Sequence, residues 1–202
     1  MIEVYADVWC PFTHVGLRRL VRRRHELGRD DERLMVHAWP LELVNLRPQD
    51  ARTTLEHIEL LRAQVAPELF ERFDPDRFPK STLEALELAS AAYRNDPVVG
   101  EQVSLELRDL LFEQGVDVSS PSVLAELARL YGLTTGTVDR EAVLDDWHRG
   151  QARGVQGSPH FFCEDRDVFC PTLDLSRDAG GAMQIEERSD RLFAFIEGCF
   201  AS

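Results

Sequence analysis

The residue best placed to do chemistry is Cys10, in the run Asp7-Val8-Trp9-Cys10-Pro11-Phe12-Thr13. A cysteine attacks as its thiolate, so a reactive one needs surroundings that favour negative charge near neutral pH. Cys10 stands where a β-branched, aromatic run gives way to an amphipathic one. A helix that starts there offers unpaired N–H groups and a partial positive charge, and both favour a thiolate. The alternative is a small apolar residue packed at a strand end. Trp9 and Phe12 flank Cys10, either as an apolar rim for a ligand or as core. Asp7 shares a strand face with Trp9. Its carboxyl could relay a proton if burial raised its pKa, or it could be a hydrogen-bonded acid at the strand end. His14 would lower the Cys10 pKa if its ring turned toward the sulfur, and would otherwise lie exposed.

The other cysteines, Cys163, Cys170 and Cys199, read as buried reduced thiols. In a hairpin centred on residues 165–166, Cys163 opposes residue 168 and not Cys170. His160 follows Pro159, and strand alternation points it away from Ser158. With no C-x-x-C, H-x-x-H or H-x-x-x-H spacing, no metal site is expected.

These residues need elements to hold them. Residues 2–9 read as a strand and 14–27 as a helix stopped by Gly28, with Pro11 tolerated in the first turn. Residues 33–39 read as a second strand. Helical periodicities follow at 51–64, 82–94, 98–114, 121–131 and about 138–152, with 73–79 as a loop. Ser81 with Glu84 spells a capping box, and Ser120-Pro121 a cap followed by N1 proline. Strand texture returns at 159–163 and 166–170, flanking a turn. A glycine-containing loop comes next, then a helix over 190–200 with Ser189 as its cap. The expected fold is α/β: a four-stranded mixed sheet from residues 1–50 and 154–202, with 51–153 as an all-helical insertion between the second and third strands.

Two motifs in this order carry a resemblance. Cys10-Pro11-Phe12-Thr13 after the first strand, and Val155-Gln156-Gly157-Ser158-Pro159 before the hairpin, resemble the active-site entry and cis-proline loop of the DsbA-like thioredoxin-fold family. That group includes disulfide oxidoreductases, FrnE-like proteins, 2-hydroxychromene-2-carboxylate isomerases and kappa-class glutathione transferases. The helical insertion agrees, and the resemblance covers nearly the whole chain. It implies that Pro159 is cis and lies beside the nucleophile, while Ser158 offers a backbone edge to the substrate. Pro11, Phe12 and Trp9, as neighbours of Cys10, are candidates to border the substrate, and the resemblance implies that Ser189-Asp190 stands where relatives contact the γ-glutamyl end of glutathione. For that pair, simple N-capping is the competing reading.

The sequence departs from the dithiol pattern at position 13, where Thr replaces the second cysteine that would release a mixed disulfide. One reading makes Cys10 a single nucleophile resolved by an external small thiol, glutathione or mycothiol, with no tightly bound cofactor. Another is a thiol-dependent isomerase or transferase acting on an aromatic or polyketide-like molecule, although that branch uses Ser where this chain has Cys10. Thr13 could hydrogen-bond a sulfur anion in either case. A third is a non-catalytic module holding a peptide along the cis-proline edge.

The 202 residues carry a net charge of −13, which argues against nonspecific binding to nucleic acid or an anionic membrane. No apolar run approaches the ~20 residues of a membrane helix. Residues 1–5 show no basic or apolar leader, so a cytoplasmic setting is expected. The expected partner is a small thiol or disulfide; the oligomeric state stays open, a homodimer being one option.

Overall fold

The computed structural model describes residues 1–133, 140–178, 180–181 and 183–200. Residues 138 and 139 of the last expected insertion helix lie outside them. The chain opens with β1 (Ile2–Ala6), α1 (Pro11–Glu26) and β2 (Leu34–Ala38). Then come α2 (Leu41–Val44), α3 (Ala51–Gln64), a 3-10 turn (Pro75–Arg77), α4 (Leu83–Asn95), α5 (Pro97–Phe112), α6 (Pro121–Leu130) and α7 (Arg140–Arg153). It closes with β3 (His160–Cys163), β4 (Arg166–Phe169), β5 (Leu173–Arg177), β6 (Met183–Glu187) and α8 (Ser189–Phe200). The fold is the expected thioredoxin-like one: a mixed four-stranded sheet in the order β2-β1-β3-β4 with helices around it.

β1 and β2 run parallel with Val4 opposite Val36, because α1 carries the chain back across the sheet. β3 runs antiparallel to β1, Phe161 opposite Val4. Alternation sorts the side chains. Ile2, Val4 and Ala6 share one apolar cluster with Leu17 and Leu20 of α1 and Leu192 and Ile196 of α8. Tyr5 and Phe162 point the other way, onto Trp39 and Trp147.

The helical block between β2 and β3 is not separately cored. Val8, Trp9 and Val15 belong to the same cluster as Ile58, Leu86, Leu107 and Phe112. The block also covers the sheet edge. The Tyr93 hydroxyl accepts from the Val36 N–H at 3.0 Å and donates to the Leu34 carbonyl at 3.2 Å. Asp146 accepts from the Ala38 N–H at 3.0 Å. An edge strand is thereby denied to other chains.

Tyr93 is held by a close approach of α4 and α5 at Gly100. A Cβ added there would lie 2.2 Å from the Tyr93 ring and 2.6 Å from its Cα. Gly100→Ala is therefore expected to destabilise the protein by about 3 kcal/mol, through a backbone that cannot yield, measurable by urea unfolding.

Three local expectations are corrected. β1 ends at Ala6, so Asp7 to Trp9 form the turn into α1, which starts at Pro11. The Ser81 capping box does not form. Thr82 is the cap residue of α4, and Ser81 Oγ instead accepts from the Leu83 N–H at 3.2 Å and donates to Glu42. The segment after Cys170 contains a second hairpin, β5–β6, with Leu173 opposite Glu187. Its period-two pattern, Leu-Asp-Leu-Ser and Met-Gln-Ile-Glu, was the available signal.

Candidate active site

The turn from β1 delivers Cys10 to the N-cap of α1, with Pro11 as the first helical residue, where its missing N–H costs nothing. Cys10 is only 4% exposed. Its thiol donates to the Ser158 carbonyl at 3.1 Å, which joins the two motifs lying 148 residues apart. The Ser158–Pro159 peptide is cis. Ser158 Oγ accepts from the Asp7 N–H at 3.0 Å and pairs with Thr13 Oγ1 at 2.8 Å. The Ser158 carbonyl that the resemblance offered to a substrate is thus occupied by the resting thiol.

The electrostatics oppose a standing thiolate. Burial pushes the Cys10 thiol above its ordinary value, outweighing the hydrogen bonds from Thr13 and Ser158 that favour the anion. The negative charge of Asp7 adds to the rise. The helix N-terminus alone does not decide the protonation state, because removing sulfur from water costs more than partial charges return.

Asp7 is fully buried, and burial raises it to about 6. One carboxylate oxygen accepts from the Leu41 N–H at 2.6 Å. The other accepts from the Thr82 hydroxyl at 2.6 Å and the Trp9 N–H at 3.4 Å. Its carboxyl therefore reaches Cys10 through charge rather than a direct bond. Behind it lies Arg108, 1% exposed, donating to the Asp7 carbonyl at 3.1 Å and to the Ser104 carbonyl and hydroxyl. Burial lowers Arg108 to about 10, still protonated at neutral pH, so a buried cation supports both Asp7 and Cys10.

A cavity of about 440 Å³ opens on Cys10. Pro11, Phe12, Leu41, Phe169 and Leu173 give it an apolar wall, while Ser158, Gln49, His57, Cys170, Asp174 and Arg191 add polar groups. Asp174 and Arg191 form a two-bond ion pair, with the Arg191 Nη2 contact at 2.9 Å. His57, on α3, packs on the Phe12 ring, and its buried Nδ1 has no hydrogen-bond partner. Sequence reading missed His57, Thr82, Arg108 and Arg191. His57 and Arg108 adjoin no motif, Thr82 lies inside the Ser81–Glu84 span and Arg191 directly follows Ser189-Asp190, yet neither motif marks them, and three of the four come from the helical block. A larger cavity of about 700 Å³ lies between β2, α4 and α7, with no cysteine in its lining.

Other expected residues lie elsewhere. Trp9, expected at the rim, is fully buried and stacks on Phe78 at 5.9 Å. The shortened strand rolls it into the helical core. His14 is neither exposed nor turned to the sulfur. It is 1% exposed, pairs with Glu113 at 2.6 Å and packs on Phe70 and Phe112. Burial lowers its pKa, against the pull of Glu113. Ser189 accepts from Arg19 at 2.6 Å in an arginine-lined cavity formed by α1 and α8, and Asp190 is exposed beside Arg188. Neither lines the cavity at Cys10. His160 is buried, accepting from the Gln156 N–H and donating to Asp167. Among the described residues, no group of three metal-ligating side chains comes together.

The whole chain superposes on solved structures of low identity. A probable DsbA oxidoreductase of Streptomyces coelicolor aligns with a TM-score of 0.69 at 17% identity, covering 100% of this chain and 90% of the other. A 2-hydroxychromene-2-carboxylate isomerase gives 0.64 at 14%, covering 99% and 94%. The cytosolic disulfide reductase DsbM of Pseudomonas aeruginosa with GSH gives 0.60 at 15%, covering 100% and 99%. The sequence matches none of the curated proteins compared with it. At these identities the structural likeness speaks for the fold alone. The family is settled by the sequence model of the DSBA-like thioredoxin domain, which matches residues 1–179 and so includes both Cys10 and Ser158-Pro159, and the chain belongs to that family.

Proposed function

We propose that this protein catalyses thiol–disulfide exchange with Cys10 as its nucleophile and a low-molecular-weight thiol, glutathione or mycothiol, as co-substrate. The observation that carries the reading is the Cys10 sulfur at the N-cap of α1, on the wall of a cavity and in contact with the Ser158 carbonyl. The Cys10 thiol gives up its proton, and the thiolate attacks one sulfur of a disulfide. A Cys10 mixed disulfide forms and the other sulfur leaves as a thiolate, which takes up a proton. Thr13 and the N–H groups of the first helical turn stabilise the sulfur anion. Burial disfavours the resting thiolate, and a ligand that breaks the Cys10–Ser158 contact frees the sulfur for attack.

The cavity supports a small thiol. Its apolar wall suits the carbon chain, while Arg191, Asp174 and Gln49 suit the carboxylates and ammonium of a γ-glutamyl peptide. The GSH-bound structural relative is consistent with this partner, and its description as cytosolic supports a cytoplasmic setting. No helix among the described residues is long and apolar enough to cross a membrane.

An isomerase or transferase is the second reading, favoured by Phe12, Leu41, Phe169 and Leu173, which could seat an aromatic substrate beside a bound thiol. The direct test exposes the reduced protein to a limiting amount of a small disulfide and maps the modified cysteines. Exchange chemistry predicts that Cys10 is consumed first. Modification of Cys163 or Cys199 with Cys10 intact would overturn the assignment.

A further inference from the structure

The position-13 threonine removes the usual partner of the first cysteine, yet another thiol, Cys170, lines the same cavity from the far end of the chain. The β3–β4 turn falls at residues 164–165, so Cys163 opposes Arg166 and Phe169 opposes His160. One step further, the Cys170 N–H donates to the Pro159 carbonyl at 2.9 Å. Cys10 donates to the Ser158 carbonyl at 3.1 Å. Cys10, through its sulfur, and Cys170, through its backbone N–H, thus flank the Ser158-Pro159 segment on its two edges, and both line the cavity.

Cys170 also adopts φ +42°, a left-handed conformation that it shares with Leu46, Phe70 and Glu164 among the described residues.

We propose that Cys170 is the resolving cysteine of Cys10, a dithiol pair assembled across the fold instead of within one helical turn. The inference rests on Cys10 being the nucleophile. In the step, Cys170 loses its proton and its thiolate attacks the Cys10 sulfur of the mixed disulfide. The Cys10–Cys170 bond forms as the bond to the small thiol breaks, and that thiol leaves as an anion that is then protonated. Overall one small disulfide is reduced to two thiols while two protein thiols become a disulfide. Two molecules of small thiol reverse it. Burial and the neighbouring Cys10 push the resting Cys170 thiol up to about 12, so it does not compete for the first attack.

The test treats wild type, Cys170→Ser and Cys10→Ser with glutathione disulfide and maps unreduced peptides. Wild type is expected to yield a Cys10–Cys170 link and little glutathione adduct. Cys170→Ser should accumulate the adduct on Cys10, with release of the bound glutathione slowed by at least about tenfold, since the intramolecular thiol is lost. Equal adduct accumulation in wild type and Cys170→Ser would overturn the resolving role while leaving Cys10 as nucleophile. An unmodified Cys10 in every sample would overturn both. The other two cysteines, Cys163 and Cys199, are in side-chain contact, so a Cys163–Cys199 link in place of Cys10–Cys170 also overturns the proposal. The wild-type map is decisive even if the Cys170→Ser protein folds poorly.

Discussion

Replacing Cys10 with Ser is expected to abolish thiol–disulfide exchange, a loss of about three orders of magnitude or more in kcat/KM, with little change in the unfolding midpoint. The serine hydroxyl can keep the contact to the Ser158 carbonyl, because oxygen is a better donor than sulfur and the site already holds a neutral group. What disappears is the nucleophile, since a hydroxyl is essentially un-ionised at neutral pH without a strong base beside it. The other thiols are poorly suited to the first step: burial pushes Cys170 up to about 12 and also raises Cys199 near the end of α8, and Cys163 lies at the β3–β4 turn, four positions from Pro159. A reductase assay with a small disulfide, paired with thermal unfolding, measures both arms. Turnover of an aromatic substrate that survives Cys10→Ser would instead favour the thiol-dependent isomerase reading, in which a hydroxyl suffices at this position.

Asp7→Asn is expected to have the second-largest effect, visible as a change in pH dependence. Burial raises the folded-state value of Asp7 from 3.8 to about 6. Between those values the folded protein holds a proton that the unfolded chain has released, so stability falls as pH rises through the interval. The shift of about two units corresponds to a loss on the order of 3 kcal/mol, complete above the folded value. The stabilising protonated form is fully present below pH 3.8 and is lost as pH passes 6. Subtracting the Asn variant's urea-unfolding curve from the wild-type one isolates this titration from every other group. The variant should lack the drop, and at pH 7 it should equal or exceed wild type in stability. Part of the gain is given back, because an amide nitrogen cannot accept from the Leu41 N–H as the carboxylate does. The same substitution removes a negative charge that raises the Cys10 thiol. The midpoint of the pH profile for Cys10 alkylation should therefore move down. An unmoved midpoint would show that the two groups do not sense each other.

Much of this architecture was legible in the chain because its cues are local. A β-branched run, a proline at a helix start, Gly28 at φ +65° and five helical periodicities each declare an element without reference to distant residues. The order of those elements, with Cys10 before the first helix and Ser158-Pro159 before the last hairpin, was enough to bring two motifs to one end of the sheet. Cues that depend on who sits opposite whom failed. Ser81 spells a capping box, yet its hydroxyl donates to Glu42 and that of Thr82 to Asp7. His14 carries no mark in the sequence of its pairing with Glu113, 99 residues away.

Register divides the two kinds of knowledge most clearly. A hairpin centred one residue later leaves Cys170 opposite residue 161, among packed side chains. The actual turn, with Glu164 at φ +54°, sets it beside Pro159 and on the cavity wall. Local cues were enough for the thioredoxin-like element order, for Cys10 as the candidate nucleophile and for the missing cysteine at position 13. It took the folded chain to show that burial raises the Cys10 thiol, that Arg108 and Thr82 support Asp7, and that Cys170 and His57 share the cavity. The reason is physical: propensity and periodicity act over a few residues, whereas desolvation, register and charge pairing are properties of neighbours that only folding brings together.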